Sequence, residues 1–273
     1  MIIDGKKIAG EIYEKLKEQI SKMDRKPSLG VILVGNNPSS EKYVEQKKKW
    51  AEFVGMNFAL YRFETNISEK ELLEEVEKLN NDTNTSGFIV QLPLPDSIDD
   101  KKIINAINPT KDVDGFHPIN QGKILIGDNS GLAPCTPSGI MEIFSHYDIN
   151  LSGKIVTVIG KSNIVGKPIT AMLINAGATV ISCNSKTPDI SKFTSISDII
   201  ISATGQAGII KQEMVKDGVI LIDVGFNYID GKIYGDMDFE NLKDKTSMIT
   251  PVPGGVGAMT VAVLLKNTLK AAK

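Results

Sequence analysis

The stretch Ile155 to Pro168, read as IVTVIGKSNIVGKP, constrains the fold of this chain more than any other. Five β-formers, Ile155, Val156, Thr157, Val158 and Ile159, end at Gly160, and Gly166 precedes an apolar helical pattern. A buried strand, a tight glycine turn and a helix start in that order present backbone N–H groups to a phosphate. The G-x-G-x-x-G dinucleotide fingerprint is half met, because Ser162 stands in the second glycine's place and the last glycine arrives one residue late. A P-loop fits less well, since Pro168 replaces the Mg²⁺-binding Ser or Thr. Nucleotide binding and an ordinary βα turn both satisfy this stretch on its own.

Strands and helical patterns alternate on either side of it. Ile8, Ile12, Leu16 and Ile20 recur every fourth residue from Lys6 to Met23, one apolar stripe on an amphipathic helix. SLGVILVG (Ser28 to Gly35) reads as a buried strand stopped at Asn36-Asn37-Pro38, and Ser39 or Ser40 is expected to cap the helix that follows, ending at Gly55. A strand at Asn57 to Phe63, a helix at Ser68 to Asn80 and a strand at Gly87 to Leu92 complete a βαβαβ pattern and predict a parallel sheet. NPTKDVDGFHPINQGK then has turn chemistry throughout. A helix is expected at Ser138 to Tyr147, and the domain boundary is placed in PCTPSG just before it. Beyond the organising strand come a helix (Lys167 to Asn175), strands at Ala178 to Cys183 and Asp198 to Ala203, a helix near Lys211 to Lys216 and a strand at Val219 to Val224. A hairpin turn is read at Asp230-Gly231, and a last helix at Val261 to Ala271. The expected class is α/β with two domains, the second a Rossmann-type dinucleotide-binding sheet.

Charge and composition narrow the partners. With 31 basic and 33 acidic residues the formal charge is -2, which lacks the electrostatic footprint for nucleic acid or an anionic membrane. Two cysteines, Cys135 and Cys183, and two histidines, His117 and His146, make neither a disulfide framework nor a metal cluster, so no metal is expected. MIIDGKKIAG has no signal-peptide core, and no apolar run is long enough to span a membrane. A cytoplasmic protein acting on a small molecule is the expectation.

Ser40, Tyr43 and Lys47 stand at i, i+3 and i+7, on one helical face. A tyrosine and a lysine four apart can share a proton, and a desolvated lysine titrates low enough for acid or base work near neutrality. Against this, Lys47 opens the run Lys47-Lys48-Lys49, and such runs commonly mark a solvated face. Gln91 ends an apolar strand, where it serves either as a ligand contact or as a strand terminator. Asp112 and Asp114 lack the further carboxylates a hard cation needs. Asp114, beside Gly115, is the better ligand candidate, since a carboxylate can accept two N–H bonds from an amidine-like heterocycle. PVPGGVGAMT brings three glycines to a helix start, a ligand loop or a linker. Where an NAD-binding unit carries an acid for the ribose hydroxyl, this chain has Asn184, Ser185 and Lys186, which together with Lys161 favours NADP over NAD.

Taken together, NPSSEKYVEQKKK, GFIVQLPLP, PTKDVDGFHPIN, APCTPSG, IGKSNIVGKP, SATG, IDVGFN and TPVPGGVGAMT resemble the bifunctional methylenetetrahydrofolate dehydrogenase/methenyltetrahydrofolate cyclohydrolase (FolD) family, in its order over nearly the whole chain. The resemblance implies oxidation of 5,10-methylenetetrahydrofolate with NADP, then hydrolysis to 10-formyltetrahydrofolate, by a homodimer with a folate cleft between its domains. It carries the family's catalytic lysine onto Lys47, its tyrosine onto Tyr43, its serine onto Ser40, its cleft glutamine onto Gln91 and its pterin-binding aspartate onto Asp114. The family's cofactor contacts fall on Gly160, Lys161, Ser162, Ser185 and Phe226. Its last helix returns to the first domain, which implies a folate domain of residues 1–137 plus 261–273 and a dinucleotide domain of residues 138–260.

Four positions depart from the family's habit. Lys161 stands where arginine is usual, Asn184 where histidine is common, Phe226 where isoleucine is usual, and Ala258 where a proline is common. A lysine keeps the charge but loses the bidentate fork for a phosphate, so NAD remains the alternative cofactor. Two other functions compete: another two-domain NADP dehydrogenase acting on a hydroxy or amino acid, without hydrolase activity, and a silent dinucleotide-binding sensor.

Overall fold

The computed structural model describes residues 1–273, which form two compact units: Gly10–Cys135 with Val261–Lys273, and Met1–Ala9 with Thr136–Thr260. The boundaries at Ala9 and Thr260 fall inside helices α1 (Gly5–Ser21) and α10 (Val256–Ala271). Residues 1–9 group with Thr136–Thr260 in the second of these units. The cause is pairing: Ile3 N–H donates to Ile249 O at 2.8 Å and Ile249 N–H to Met1 O at 3.0 Å, adding the amino terminus to a sheet edge.

In the first unit, β1 (Ser28–Val34) lies between β2 (Asn57–Phe63) and β3 (Gly87–Val90) in a three-stranded sheet, with both pairings parallel. The connections are α2 (Pro38–Phe53) and α3 (Glu69–Asn81). Strands β1 and β3 are buried almost throughout, as their unbroken apolar runs require. Helix α3 starts on a capping box, Ser68 with Glu71, and buries Leu72, Val76 and Leu79 against Ile32, Phe88 and Val90.

Local readings are corrected at several ends. Asn37, not Ser39 or Ser40, caps α2: its Oδ1 accepts from Ser39 N–H at 2.9 Å and Ser40 N–H at 3.2 Å, with Pro38 in the first turn. Helix α5 (Pro118–Leu125) starts within the stretch read as turns, because His117 Nδ1 accepts Ile119 N–H and Pro118 pre-sets the first helical φ. A further helix, α4 (Asp100–Ala106), is capped by Asp99. Helix α6 (Cys135–His146) begins three residues before the expected Ser138, since Pro137 is tolerated in a first turn.

The second unit carries β4 (Ile155–Ile159), α7 (Gly166–Asn175), β5 (Thr179–Cys183), α8 (Ser191–Thr194), β6 (Ile199–Ser202) and β7 (Ile220–Asp223). A hairpin of β8 (Asn227–Ile229) and β9 (Lys232–Tyr234) follows, then α9 (Phe239–Leu242) and β10 (Met248–Ile249). The strand order is β10-β7-β6-β4-β5, parallel throughout. The order reverses between β4 and β6, which makes the crevice beyond their carboxyl ends the place where such a sheet takes a ligand. The helix expected near Lys211 to Lys216 is only a 3₁₀ turn, Gln212–Met214. The last helix begins at Val256, so half of the glycine loop is its first turn.

Candidate active site

Helix α2 decides which of three successive lysines matters. Its buried residues are Ser40, Val44, Lys47 and Ala51, one stripe along the helix, while Lys48 and Lys49 are exposed. Lys47 is 8% exposed, so its ammonium must find a partner. It donates to Gln91 Oε1 at 2.6 Å, and Gln91 is held in turn, its Nε2 donating to Leu92 O at 2.8 Å and its N–H to Ile32 O at 2.9 Å. Ser40 shares the buried stripe, while Tyr43 stands beside it at 41% exposure.

Asp114 reaches this group from the loop after β3. Phe88 N–H donates to Lys111 O at 2.9 Å, which lays residues 111–113 against β3 and delivers Asp114 near the end that carries Gln91. Asp112 is occupied: its carboxylate accepts from Gly115, Phe116 and His117 N–H groups and from Asn120 Nδ2, so it shapes the loop. Cys135 donates through Sγ to Val113 O at 3.4 Å. Asn267, on α10, donates to Val113 O and Ala133 O, both at 2.9 Å, and thereby ties down the loop on both sides of Asp114. Sequence reasoning missed Asn267, whose only signal is an amide inside the apolar run VAVLLKNTL.

The electrostatics favour neutral forms. Burial pushes the Asp114 carboxyl up to about 6, helped by the Asp112 charge and opposed by Lys47 and Cys135. Burial likewise depresses Lys47, opposed by Asp114 and Cys135. Burial raises Tyr43 and holds the Cys135 thiol well above its usual range. Burial thus draws the titrations of the lysine and the carboxyl toward each other, the direction that proton exchange between them requires. Of the expected set, Lys47 and Gln91 are in direct contact, and Asp114 acts on Lys47 through its charge.

The expected dinucleotide contacts gather at the carboxyl edge of the second sheet: Gly160, Lys161 and Ser162 just after β4, Ser185 just after β5, and Phe226 beyond β7. Gly160 has φ +127°, and a Cβ there would stand 2.5 Å from Ala203 O, so only glycine lets β4 turn beside the loop after β6. A Cβ on Gly166 would stand 2.1 Å from Gly160 O, which is the close helix–strand contact the fingerprint's last glycine serves. Ser162 Oγ accepts from Val165 N–H at 3.1 Å and Gly166 N–H at 3.4 Å, so the serine in the second glycine's place caps the turn itself. Lys161 and Ser185 are exposed at this edge, and Phe226 is half exposed. A glycine-walled crevice with an exposed cation fits a phosphorylated dinucleotide.

Residues 3–114 match the tetrahydrofolate dehydrogenase/cyclohydrolase catalytic domain, and residues 134–273 match the NAD(P)-binding domain of the same family. The chain belongs to the tetrahydrofolate dehydrogenase/cyclohydrolase family. Its similarity to the bifunctional protein FolD of Nautilia profundicola is 50% identity over 100% of this chain and 97% of that protein. The crystal structure of the bifunctional FolD enzyme from Campylobacter jejuni superposes with a TM-score of 0.98 at 48% identity, covering 100% of this chain and 98% of that one. The Trypanosoma brucei FolD, solved with NADP cofactor and inhibitor, superposes with a TM-score of 0.95 at 36% identity, covering 100% and 97%. Within this family, the missing second glycine does not count against dinucleotide binding.

Proposed function

We propose that this chain oxidises 5,10-methylenetetrahydrofolate to the 5,10-methenyl form with NADP and hydrolyses that to 10-formyltetrahydrofolate. The observation that carries the reading is the buried Lys47 ammonium held on Gln91 Oε1 at 2.6 Å, with the Asp114 charge acting on it. The family membership of both halves of the chain supports the pairing of the two activities.

Gly160, Lys161, Ser162, Ser185 and Phe226 would hold NADP, which would supply the hydride acceptor. Loss of hydride from the methylene carbon leaves a delocalised amidinium cation, so the chain's part in this step is orientation rather than proton removal. Asp114 accepts N–H bonds from the pterin and fixes its register. Hydrolysis asks more of the residues. Water adds to the bridging carbon and loses one proton on attack and its second as the formyl C=O forms; the bond from that carbon to the pterin-ring nitrogen breaks, that nitrogen takes one of these protons, and the other leaves to solvent. Lys47, its pKa lowered by burial, relays these protons with Tyr43, while Gln91 holds its Nζ in line and Ser40 completes the buried face. NADP is preferred over NAD because Lys161 and the absence of an acid near Asn184 suit a 2′-phosphate. The functional unit is a homodimer in the cytoplasm; no helix is long and apolar enough to cross a membrane.

Purified protein given 5,10-methylenetetrahydrofolate with NADP or NAD should form reduced cofactor and a transient methenyl intermediate. No turnover with either cofactor would sink the reading. Lys47→Ala should lower hydrolysis by roughly 10²-fold or more, the usual worth of a positioned acid or base, and spare oxidation comparatively. Lys161→Ala should narrow the preference for NADP, and analytical ultracentrifugation should give twice the chain's mass.

A further inference from the structure

Beyond the dinucleotide contacts, the same sheet edge holds two buried carboxylates for which the proposed reaction has no use. Asp236, just after the hairpin, is 0% exposed. Its Oδ2 accepts from Ser202 Oγ at 2.8 Å, Thr204 N–H at 2.7 Å and Thr204 Oγ1 at 2.9 Å. Its Oδ1 accepts from Gln206 N–H at 3.0 Å and Asn227 Nδ2 at 3.3 Å. Asp223, at the end of β7 and 3% exposed, accepts Gly225 N–H and Asp236 N–H on Oδ1 and Met237 N–H on Oδ2, each at 2.9 Å. The two segments interlock without spare room. A Cβ on Gly225 would stand 2.2 Å from Asp236 Oδ1, and one on Gly235 would stand 2.0 Å from Asp223 Oδ2.

Burying two neighbouring carboxylates is costly, and burial with the Asp236 charge pushes Asp223 up to about 6. What the arrangement gains is control of two loops. Residues 202–206 supply Ala203 O, the atom against which Gly160 is packed, and both ends of that segment are bonded to Asp236. Phe226 lies between Gly225, bonded to Asp223, and Asn227, bonded to Asp236. The loop after β6 and the loop after β7 therefore take their positions from one carboxylate pair.

We propose that Asp236 is a positioning residue for NADP, a buried acceptor that fixes the Ser202–Gln206 loop and the Phe226 segment in the shape that receives the dinucleotide. This rests on the NADP-dependent reading above. The chemistry requires an acid, because donors converge on both oxygens; an amide of the same size would turn an NH₂ toward N–H and O–H groups.

The test is Asp236→Asn in the full-length protein, with NADPH binding by fluorescence titration, the thermal midpoint, and hydrolysis of 5,10-methenyltetrahydrofolate without nucleotide. The NADPH dissociation constant and the KM for NADP should both rise roughly tenfold or more, as loss of hydrogen bonds to a charged group predicts. Hydrolysis, which uses the Lys47 group, should persist. Unchanged NADPH affinity in the folded variant overturns the proposal, as does a parallel loss of hydrolysis. If Asp236→Asn does not fold, Ser202→Ala removes one donor and keeps the acid; it should weaken NADPH binding a few-fold, and unchanged affinity there has the same overturning force. Because NADPH binding is read without folate, a parent that binds NADPH but turns over no folate would refute the reaction and leave this inference standing on its own measurement.

Discussion

Asp114 and Lys47 are each tuned by burial, and the sign of the effect on stability follows. Asp114 has an ordinary pKa of 3.8 and a folded-state value of about 6, so folding takes up a proton between those values. Its contribution to stability is greatest below 3.8 and is lost as pH rises through about 6. Asp114→Asn should therefore be more stable than the parent near neutral pH, by up to about 3 kcal/mol at ~1.4 kcal/mol per unit, with the gap closing in acid. Urea unfolding across this range would test it; a less stable variant at neutral pH would contradict the assignment. The same substitution should raise the folate KM. Lys47 is depressed, so its cost is full below its folded pKa and relieved as pH rises toward 10.5. The pair is held at the expense of stability, the condition expected of the proton-transfer role proposed for it.

Among the elements, the junction of β4 with α7 tolerates little change. With Gly160 O only 2.1 Å from where a Gly166 Cβ would sit, Gly166→Ala must push the helix off the strand. An overpacking cost of roughly 1–3 kcal/mol is expected, together with weakened NADPH binding, readable by thermal melting and fluorescence titration. Helix α2 responds differently. Asn37→Ala removes the acceptor for two N–H groups and should cost about 1 kcal/mol, with the Lys47–Gln91 bond retained because the buried stripe, not the cap, seats Lys47. A large loss of hydrolysis in Asn37→Ala would show that the cap positions the lysine after all.

Across the whole molecule, long-range bonds do what local pattern cannot. Asn267 lies more than a hundred residues from Val113 and Ala133 in sequence, yet its amide satisfies both carbonyls. Asn267→Leu keeps the volume but removes the amide donor to both carbonyls, leaving Val113 O with only the weaker Cys135 Sγ donor, so a loss of about 1–3 kcal/mol and a lower unfolding midpoint are expected. The folate KM should rise with it as the loop around Asp114 loosens; a rise in midpoint would refute the account.

The main strands, helices α1, α2, α3, α6, α7 and α10, the two parallel sheets and the glycine turn after β4 were legible in the sequence, because apolar periodicity and turn chemistry act within a few residues, whereas the short elements α4, α5, α8, α9 and β10 were not. Helix ends were read less well, since Asn37, His117 and Pro137 compete locally with equally plausible caps and turns. The motif set named the family and pointed to Lys47, Gln91 and Asp114. What it could not supply is why Lys47 and not Lys48 or Lys49 is desolvated, where Asp112 spends its oxygens, or that the amino terminus pairs with Ile249. Nor could it bring Asp223 and Asp236 together. Those outcomes depend on burial and on partners far apart in the chain, which exist only once the sheets are assembled, and they were decided by tertiary structure alone.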